Sequence, residues 1–182
     1  MPRINAPTIE TAPGASQPQL AAVKKQLGSV RNMFRTIAHS PAALEGYLSL
    51  NGALAKGTLD APTRERIALA VAEFNGCNYC LAAHTYLGKN VAKLSDVEIE
   101  ANRRGRSSDP KADAAVVFAV KVVSARGQVS DADLSAVRAA GFTDANVIEI
   151  ISHVALNTLT NYVNEVAGTV VDFPAATMLK AA

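Results

Sequence analysis

The chain has 182 residues, a formal net charge of +2, 49% hydrophobic residues and a mean hydropathy of +0.12. A chain of this length forms one domain with a substantial core, and so small a charge excludes electrostatic binding to nucleic acid or to an anionic membrane. No stretch approaches the ~18 uninterrupted apolar residues of a membrane span, and the N-terminus lacks the apolar region of a secretory signal. We therefore expect a soluble, cytoplasmic protein.

Helix start and stop signals recur along the chain, and no segment alternates with the two-residue period of a strand. Residues 1–16 are rich in Pro, Ala and Thr and are predicted to form an extended N-terminal arm. Residues 17–182 are predicted to form a single all-α domain of about seven or eight helices.

Capping residues mark the helix starts, and several are followed at once by proline or by a capping-box sequence. The helix after Asp60 contains "RERIALAVAEF", which is apolar nearly all round and is therefore predicted to be buried. The last helix is the longest and is expected to end near Ala167. The predicted starts are Ser40, Asp60, Ser95, Asp109, Ser130 and, for the last helix, Thr143 or Asp144.

The stretch "CNYCLAAH" contains both cysteines of the chain and one of its three histidines. Asn75 and Gly76 break the preceding helix, so a new helix is predicted to begin near Cys77 and to end near Leu87, capped by Gly88. On a helical wheel the two cysteines and the histidine, Cys77, Cys80 and His84, fall within about 60° and share one face.

This cluster favours a redox-active dithiol, in which one sulfur attacks and the other resolves the intermediate. A helix N-terminus stabilises negative charge, and a thiolate there can have a pKa several units below about 8.5. The alternatives are a zinc site with Glu65 as a fourth ligand, or two buried thiols without a role. A structural disulfide is disfavoured because so short a loop removes only about 2 kcal/mol of chain entropy. Leu81 after Cys80 excludes the haem-attachment motif C-x-x-C-H.

The segment "RERIALAVAEFNGCNYCLAAHTYLGK" resembles the core of the AhpD-like, carboxymuconolactone decarboxylase superfamily. Its alkylhydroperoxidase pattern Glu-x11-Cys-x-x-Cys-x3-His is met by Glu65, Cys77, Cys80 and His84. The stretches "NMFRTIAHSPA" and "NTLTNYVNEVAGTVVDFP" resemble the N-terminal and C-terminal parts of its peroxidase-related subgroup. The resemblance implies an AhpD-like helical domain with the C-x-x-C helix start at the active site.

The resemblance also implies a thiol-dependent peroxidase for organic hydroperoxides or hydrogen peroxide. Cys80 would be peroxidatic and Cys77 resolving, with a proton relay through His84 and Glu65. Helix-start physics favours Cys77 as the attacker instead, because the first cysteine of such a motif usually has the lower pKa and the greater exposure. Lactone decarboxylation and a non-catalytic dithiol adaptor or sensor are the alternative functions.

The sequence has no Gly-rich phosphate loop and no second metal cluster, so no resident cofactor or metal is expected. Turnover would need an external dithiol or a redox partner protein. The family resemblance further implies a homo-oligomer, a hexamer built as a trimer of dimers. No nucleic-acid or membrane partner is expected.

Tyr79 and His153 are the possible auxiliary residues of the site. Tyr79 stands where the best-known members of that family have a histidine. A phenol is a poor base at pH 7 but can donate a hydrogen bond, and core packing explains the presence of Tyr79 equally well.

Two carboxylates have alternative interpretations. Glu65 could be an exposed helix-start acid and not a partner of His84, and Glu73 is a rival carboxylate near the cysteines. The last helix has a polar stripe that is typical of a solvated face but could line a subunit interface or the active-site mouth: Glu149, His153, Asn157, Asn161 and Asn164.

Overall fold

The computed structural model describes residues 1–179, and these form helices without any strand. The all-α prediction is confirmed, with nine helices in the described residues where about seven or eight were expected. Two of them precede Ser40, because Gly28 adopts a left-handed conformation (φ 76°) that ends the first helix. The helices are α1 (Gln17–Leu27), α2 (Asn32–Ile37), α3 (Pro41–Leu54), α4 (Ala61–Phe74), α5 (Asn78–Asn90), α6 (Asp96–Arg103), α7 (Pro110–Ser124), α8 (Asp131–Ala139) and α9 (Asp144–Ala167).

Side-chain caps begin six of these helices at the predicted residues, each accepting a hydrogen bond from a backbone N–H of the first turn. At α6 the predicted capping box is only half formed. Ser95 caps the helix, but the Glu98 carboxylate accepts from Arg66 Nε at 2.7 Å instead of returning to the cap. A buried carboxylate needs such a charged partner more than a further backbone N–H.

Helix α4 lies at the centre of the fold and packs against α5, α6, α7 and α9. Its residues 67–72 are all buried, which confirms the prediction made from its apolar sequence. The helix therefore holds Glu65, near its N-terminal end, against the helices that surround it.

Helix α5 is longer than predicted. It continues to Asn90, and Gly88 is a residue of its last turn, not its cap. Leu69, Leu94 and Ile99 pack against this glycine, and a Cβ there would lie 3.5 Å from the Leu94 Cδ1 atom. The helix continues past Gly88 because the lack of a side chain there allows close packing of neighbouring residues and does not serve a left-handed turn.

The N-terminal residues and the segment that follows α9 pack against the helical body. The backbone N–H groups of Arg3 and Ile4 donate to the Ala167 carbonyl at the end of α9. After Gly168 the chain runs beside α2 and α5, where Asp172 accepts a hydrogen bond from the Asn32 N–H at 2.9 Å. None of the helices in residues 1–179 is long and apolar enough to cross a membrane.

Candidate active site

The two cysteines lie at the beginning of α5. Cys77 is the N-cap, and its sulfur accepts a hydrogen bond from the Cys80 backbone N–H at 3.2 Å. Both are free thiols, with exposed fractions of 0% for Cys77 and 2% for Cys80. Cys80, but not Cys77, lines a cavity between the helices. A small molecule in that cavity would therefore reach the sulfur of Cys80 first.

The two sulfurs have opposite electrostatic environments. The neighbouring Cys77 thiol, with the Asn164 amide and the charge of His84, outweighs burial and lowers the pKa of Cys80 to about 6. The neighbouring Cys80 sulfur, together with burial, raises the pKa of Cys77 far above its ordinary value. Cys77 is therefore not the more exposed thiol, and the directions of the two pKa shifts favour Cys80, not Cys77, as the more acidic one.

His84 lies one turn after Cys80 and is joined to Glu65 of α4. The His84 Nδ1 and Glu65 Oε2 atoms are 2.9 Å apart, and each side chain is 21% exposed. Burial would lower the pKa of His84, but the charge and hydrogen bond of Glu65, with the charge of Cys80, raise it. Since Nδ1 is engaged by the carboxylate, Nε2 is the ring nitrogen left for proton exchange. Glu65 is thus a partner of His84 and not a solvated helix-start acid.

Tyr79 fixes two segments beside the cysteines. Its hydroxyl donates to Asp172 Oδ1 at 2.8 Å and accepts from the Met33 N–H at 3.2 Å. Its ring packs edge-on against Phe173, with the ring centroids 5.8 Å apart. Burial is the largest cause of a strong rise in the pKa of Tyr79, so the phenol keeps its proton. Tyr79 therefore ties α2 and the C-terminal segment to α5 and leaves no base in its place.

The polar stripe of α9 is not solvated. His153, Asn157, Asn161 and Asn164 are all buried, because α9 packs its polar side against α4 and α5. The Asn164 Nδ2 atom donates to the sulfur of Cys80 at 3.2 Å. Sequence reasoning missed this contact, and the signal that could have indicated it is a pair of asparagines three residues apart on one face of the helix.

The remaining members of the stripe differ in role. The carboxylate of Glu149 accepts from the backbone N–H groups of Thr58 and Leu59 and so closes the loop before α4. Burial, aided by the charge of Arg64, lowers the pKa of His153 to about 4. His153 is thus a neutral imidazole at pH 7, and it lines the same cavity as Cys80.

The rival carboxylate, Glu73, is engaged away from the sulfurs. It accepts from Arg103 Nε at 2.8 Å and from the backbone N–H of Leu179 at 2.7 Å. Both side chains of this ion pair are about nine-tenths buried, with exposed fractions of 12% for Arg103 and 11% for Glu73. Glu73 therefore joins α6 and the C-terminal segment to α4.

The cavity has a volume of about 510 Å³, within the range of small-molecule sites. Most of its wall is apolar, and its polar groups lie around Cys80. In the part of the chain that the structure describes, no three His, Cys, Asp or Glu side chains are grouped to hold a metal ion. The wall includes Met33, Phe34, Tyr47, Leu87, Leu156 and Phe173 on the apolar side, and Arg64, Glu65, His84, His153 and Asn157 on the polar side.

Sequence comparison identifies relatives of this segment. The model of the carboxymuconolactone decarboxylase family matches residues 41–125, which include Glu65, both cysteines and His84. An uncharacterized protein of Haemophilus influenzae is 43% identical over 63 residues, which cover 34% of this chain and 50% of that protein. The chain thus matches half the length of this relative.

Structural comparison extends the likeness to almost the whole chain. An uncharacterized peroxidase-related protein with an alkylhydroperoxidase AhpD core, from Ralstonia eutropha JMP134, superposes with a TM-score of 0.83 and 27% identity over 94% of this chain and 92% of that one. The debrominase Bmp8, whose structure holds 2,3,4-tribromopyrrole, superposes with a TM-score of 0.77 over 93% of this chain and 91% of that one. At 15% identity the second likeness shows the fold alone.

Proposed function

The chain belongs to the AhpD-like, carboxymuconolactone decarboxylase superfamily, and we propose that within it the protein is a thiol-dependent peroxidase. One observation carries the proposal: the sulfur of Cys80 lines a cavity that His84 and Glu65 also line. The attacking form of cysteine is the thiolate. With the pKa of Cys80 lowered to about 6, roughly nine-tenths of this sulfur is ionised at pH 7.

In the first step, the Cys80 thiolate attacks the outer oxygen of a hydroperoxide, ROOH. A sulfur–oxygen bond forms, the oxygen–oxygen bond breaks, and two electrons of the sulfur pass to the departing alkoxide. The proton that Cys80 gave to His84 Nε2 returns to this alkoxide, which leaves as the alcohol. Glu65 keeps its hydrogen bond to Nδ1 throughout and stabilises the imidazolium.

In the second step, Cys77 attacks the sulfenic acid on Cys80. The new sulfur–sulfur bond displaces hydroxide, which leaves as water with the proton of the Cys77 thiol. An external dithiol or a redox partner protein then supplies two electrons and two protons to restore both thiols. This cycle needs no resident cofactor or metal, and it suits a reducing cytoplasm.

Thiol counting tests the proposal directly, because the chain has only two cysteines. One equivalent of cumene hydroperoxide should remove both thiols and yield one equivalent of cumyl alcohol. Persistence of both thiols after prolonged exposure would overturn the proposal. Zinc bound at one ion per chain would also overturn it.

Single substitutions assign the two sulfurs. Cys77→Ser should still consume one equivalent of peroxide and should leave a sulfenic acid on Cys80 that dimedone traps. Cys80→Ser, which removes the same number of thiols, is the matched control and should not react. The opposite pattern would make Cys77 the attacker.

The same assays separate the alternative functions. Activity that survives the loss of both cysteines would favour lactone decarboxylation, which does not use a cysteine pair. Reaction with a protein disulfide but not with peroxide would favour a dithiol adaptor. Because a debrominase shares the fold, 2,3,4-tribromopyrrole is a further substrate to compare with peroxide.

We also propose that the protein self-associates, as a hexamer built from dimers. The support in this chain is an apolar stripe on the outer face of α9, whose members recur at helical spacing and are each more than one-third exposed. Sedimentation velocity tests it: the chain should sediment as an oligomer, and Tyr162→Glu should shift it toward the monomer. The stripe consists of Ile148, Ile151, Leu159, Tyr162 and Val166.

A further inference from the structure

We infer that Asn164 of α9, with Asn161 one turn before it, provides an amide donor that binds the Cys80 thiolate and selects Cys80 over Cys77 as the attacking sulfur. The inference deepens the proposed peroxidase function and rests on it for its catalytic meaning. The binding itself is a property of the resting thiols and can be measured without peroxide.

The first contact is a direct hydrogen bond. Asn164 Nδ2 lies 3.2 Å from the sulfur of Cys80, and the Asn164 residue is 2% exposed. A donor that is withdrawn from water and points at a sulfur stabilises the anionic form of that sulfur more than its neutral form. Asn164 therefore touches the reacting atom itself.

The second amide is aimed by a neighbour. Asn161 is fully buried, and its Oδ1 accepts a hydrogen bond from Asn75 Nδ2 at 2.8 Å. Asn75 is the C-cap of α4, so the loop before Cys77 fixes which way this amide faces. Within residues 1–179, Asn161 Nδ2 has no hydrogen-bond partner of ordinary geometry. Asn161 Nδ2 is therefore a buried donor one turn before Asn164 on the same face of α9.

Two other polar residues on this face of α9, Asn157 and Thr160, donate to carbonyls of their own helix. Asn157 Nδ2 donates to the His153 carbonyl at 2.8 Å, and Thr160 Oγ1 donates to the Asn157 carbonyl at 2.9 Å. Asn161 and Asn164 instead direct their amides away from their own helix. A buried donor that lacks an oxygen acceptor is destabilising unless another anion takes its place. The Cys80 thiolate is the group that can take that place.

The two amides distinguish the cysteines. Asn164 donates to the sulfur of Cys80, whereas Cys77 receives only the backbone N–H of Cys80. The helix N-terminus is shared by both residues, so it cannot by itself choose between them. The donors that make the choice come from α9, which lies 84 residues further along the chain.

The test is the pH dependence of Cys80 ionisation, followed by thiolate ultraviolet absorbance and by iodoacetamide alkylation. The absorbance and the alkylation rate are measured in the wild type and in Cys77→Ser. In that variant Cys80 is the only thiol, and the serine hydroxyl can still donate a hydrogen bond. Asn164→Ala should raise the midpoint by about one pH unit, a tenfold smaller thiolate-to-thiol ratio. Asn164→Asp should raise it further, because a carboxylate replaces the donor with a negative charge.

Asn157→Ala is the matched control, since it removes a buried amide of the same helix that bonds to its own backbone. Its Cys80 midpoint should equal that of the wild type, and circular dichroism should show all variants folded. The inference is overturned if Asn164→Ala and Asn164→Asp both titrate like the wild type. It is also overturned if Asn157→Ala shifts the midpoint as far as they do.

The outcome is independent of the peroxidase assay. If the wild type does not consume peroxide but the Asn164 variants shift the midpoint, the thiolate site stands and the proposed function fails. If the wild type loses both thiols to peroxide while the midpoint is unmoved by substitution, the function stands and the amide site fails.

Discussion

The hydrogen bond between Glu65 and His84 makes a quantitative prediction. Glu65→Gln keeps the size of the side chain and removes its charge. Hydrogen bonds to charged groups contribute about 1.5–3 kcal/mol, and we take the lower end because each partner is 21% exposed. About 1.5 kcal/mol corresponds to roughly one pKa unit. Since the carboxylate raises the pKa of His84, the substitution should lower that pKa by about one unit.

Nuclear magnetic resonance suits this measurement because the chain has three histidines. In the wild type, His84 should titrate above the ordinary histidine value and His153 far below it, at about 4. His39, whose Nε2 lies 2.8 Å from the Asn5 carbonyl, is the third histidine. An unmoved His84 titration in Glu65→Gln would refute the reasoning.

The same substitution should have a pH-dependent effect on stability. The pKa of His84 is raised in the folded state, so its stabilising contribution is fully present below the unfolded value near 6.5 and is lost as the pH rises through the folded value. The free energy of unfolding of Glu65→Gln should therefore differ more from the wild type at pH 5 than at pH 9. Urea titrations at the two pH values measure this difference, and an equal loss at both would contradict the ion pair.

Three further predictions concern groups around the site. The pKa of His153 is lowered to about 4 in the folded protein, because burial favours its neutral imidazole. The folded state is therefore stabilised above pH 6.5, and this stabilisation is lost as the pH falls. The wild type should lose about 3 kcal/mol more than His153→Leu between pH 7 and pH 4 in urea titrations, and parallel losses would contradict this account. Tyr79→Phe should cost about 1–3 kcal/mol, because the Met33 N–H and Asp172 lose their partner, and an unchanged urea midpoint would contradict it. Glu98→Gln should cost about 3–5 kcal/mol by thermal unfolding, since it breaks a buried pair with Arg66, whereas the exposed Glu100→Gln should be nearly neutral.

Local sequence signals accounted for most of the secondary structure. Each predicted cap, such as Asp60 or Thr143, acts on backbone N–H groups within three residues, so neighbouring letters were sufficient to place the helix starts. Gly88 shows where this reasoning ends. Leu94 and Ile99, which follow the turn, and Leu69 of another helix pack closely against it. A sequence rule about an isolated glycine cannot say which residues will approach it.

The candidate site divides in the same way. The spacing along α5 placed Cys77, Cys80 and His84 on one face, and the family resemblance joined Glu65 to them. The ranking of the two sulfurs depended on burial and on donor direction, which are properties of the packed molecule. A helix start acts on both cysteines alike, so the sequence argument for Cys77 had no means of including a donor on α9.

The sequence by itself determined the helical class, the helix starts and the set of residues able to carry thiol chemistry, because these depend on short-range capping, periodicity and residue type. Tertiary structure alone decided that the polar stripe of α9 is buried and that Asn164 reaches Cys80 across 84 residues. A helical wheel shows which side chains share a face. Which neighbour covers that face is decided by the packing of α9 against α4 and α5, which assembles donors and sulfur from distant parts of the chain.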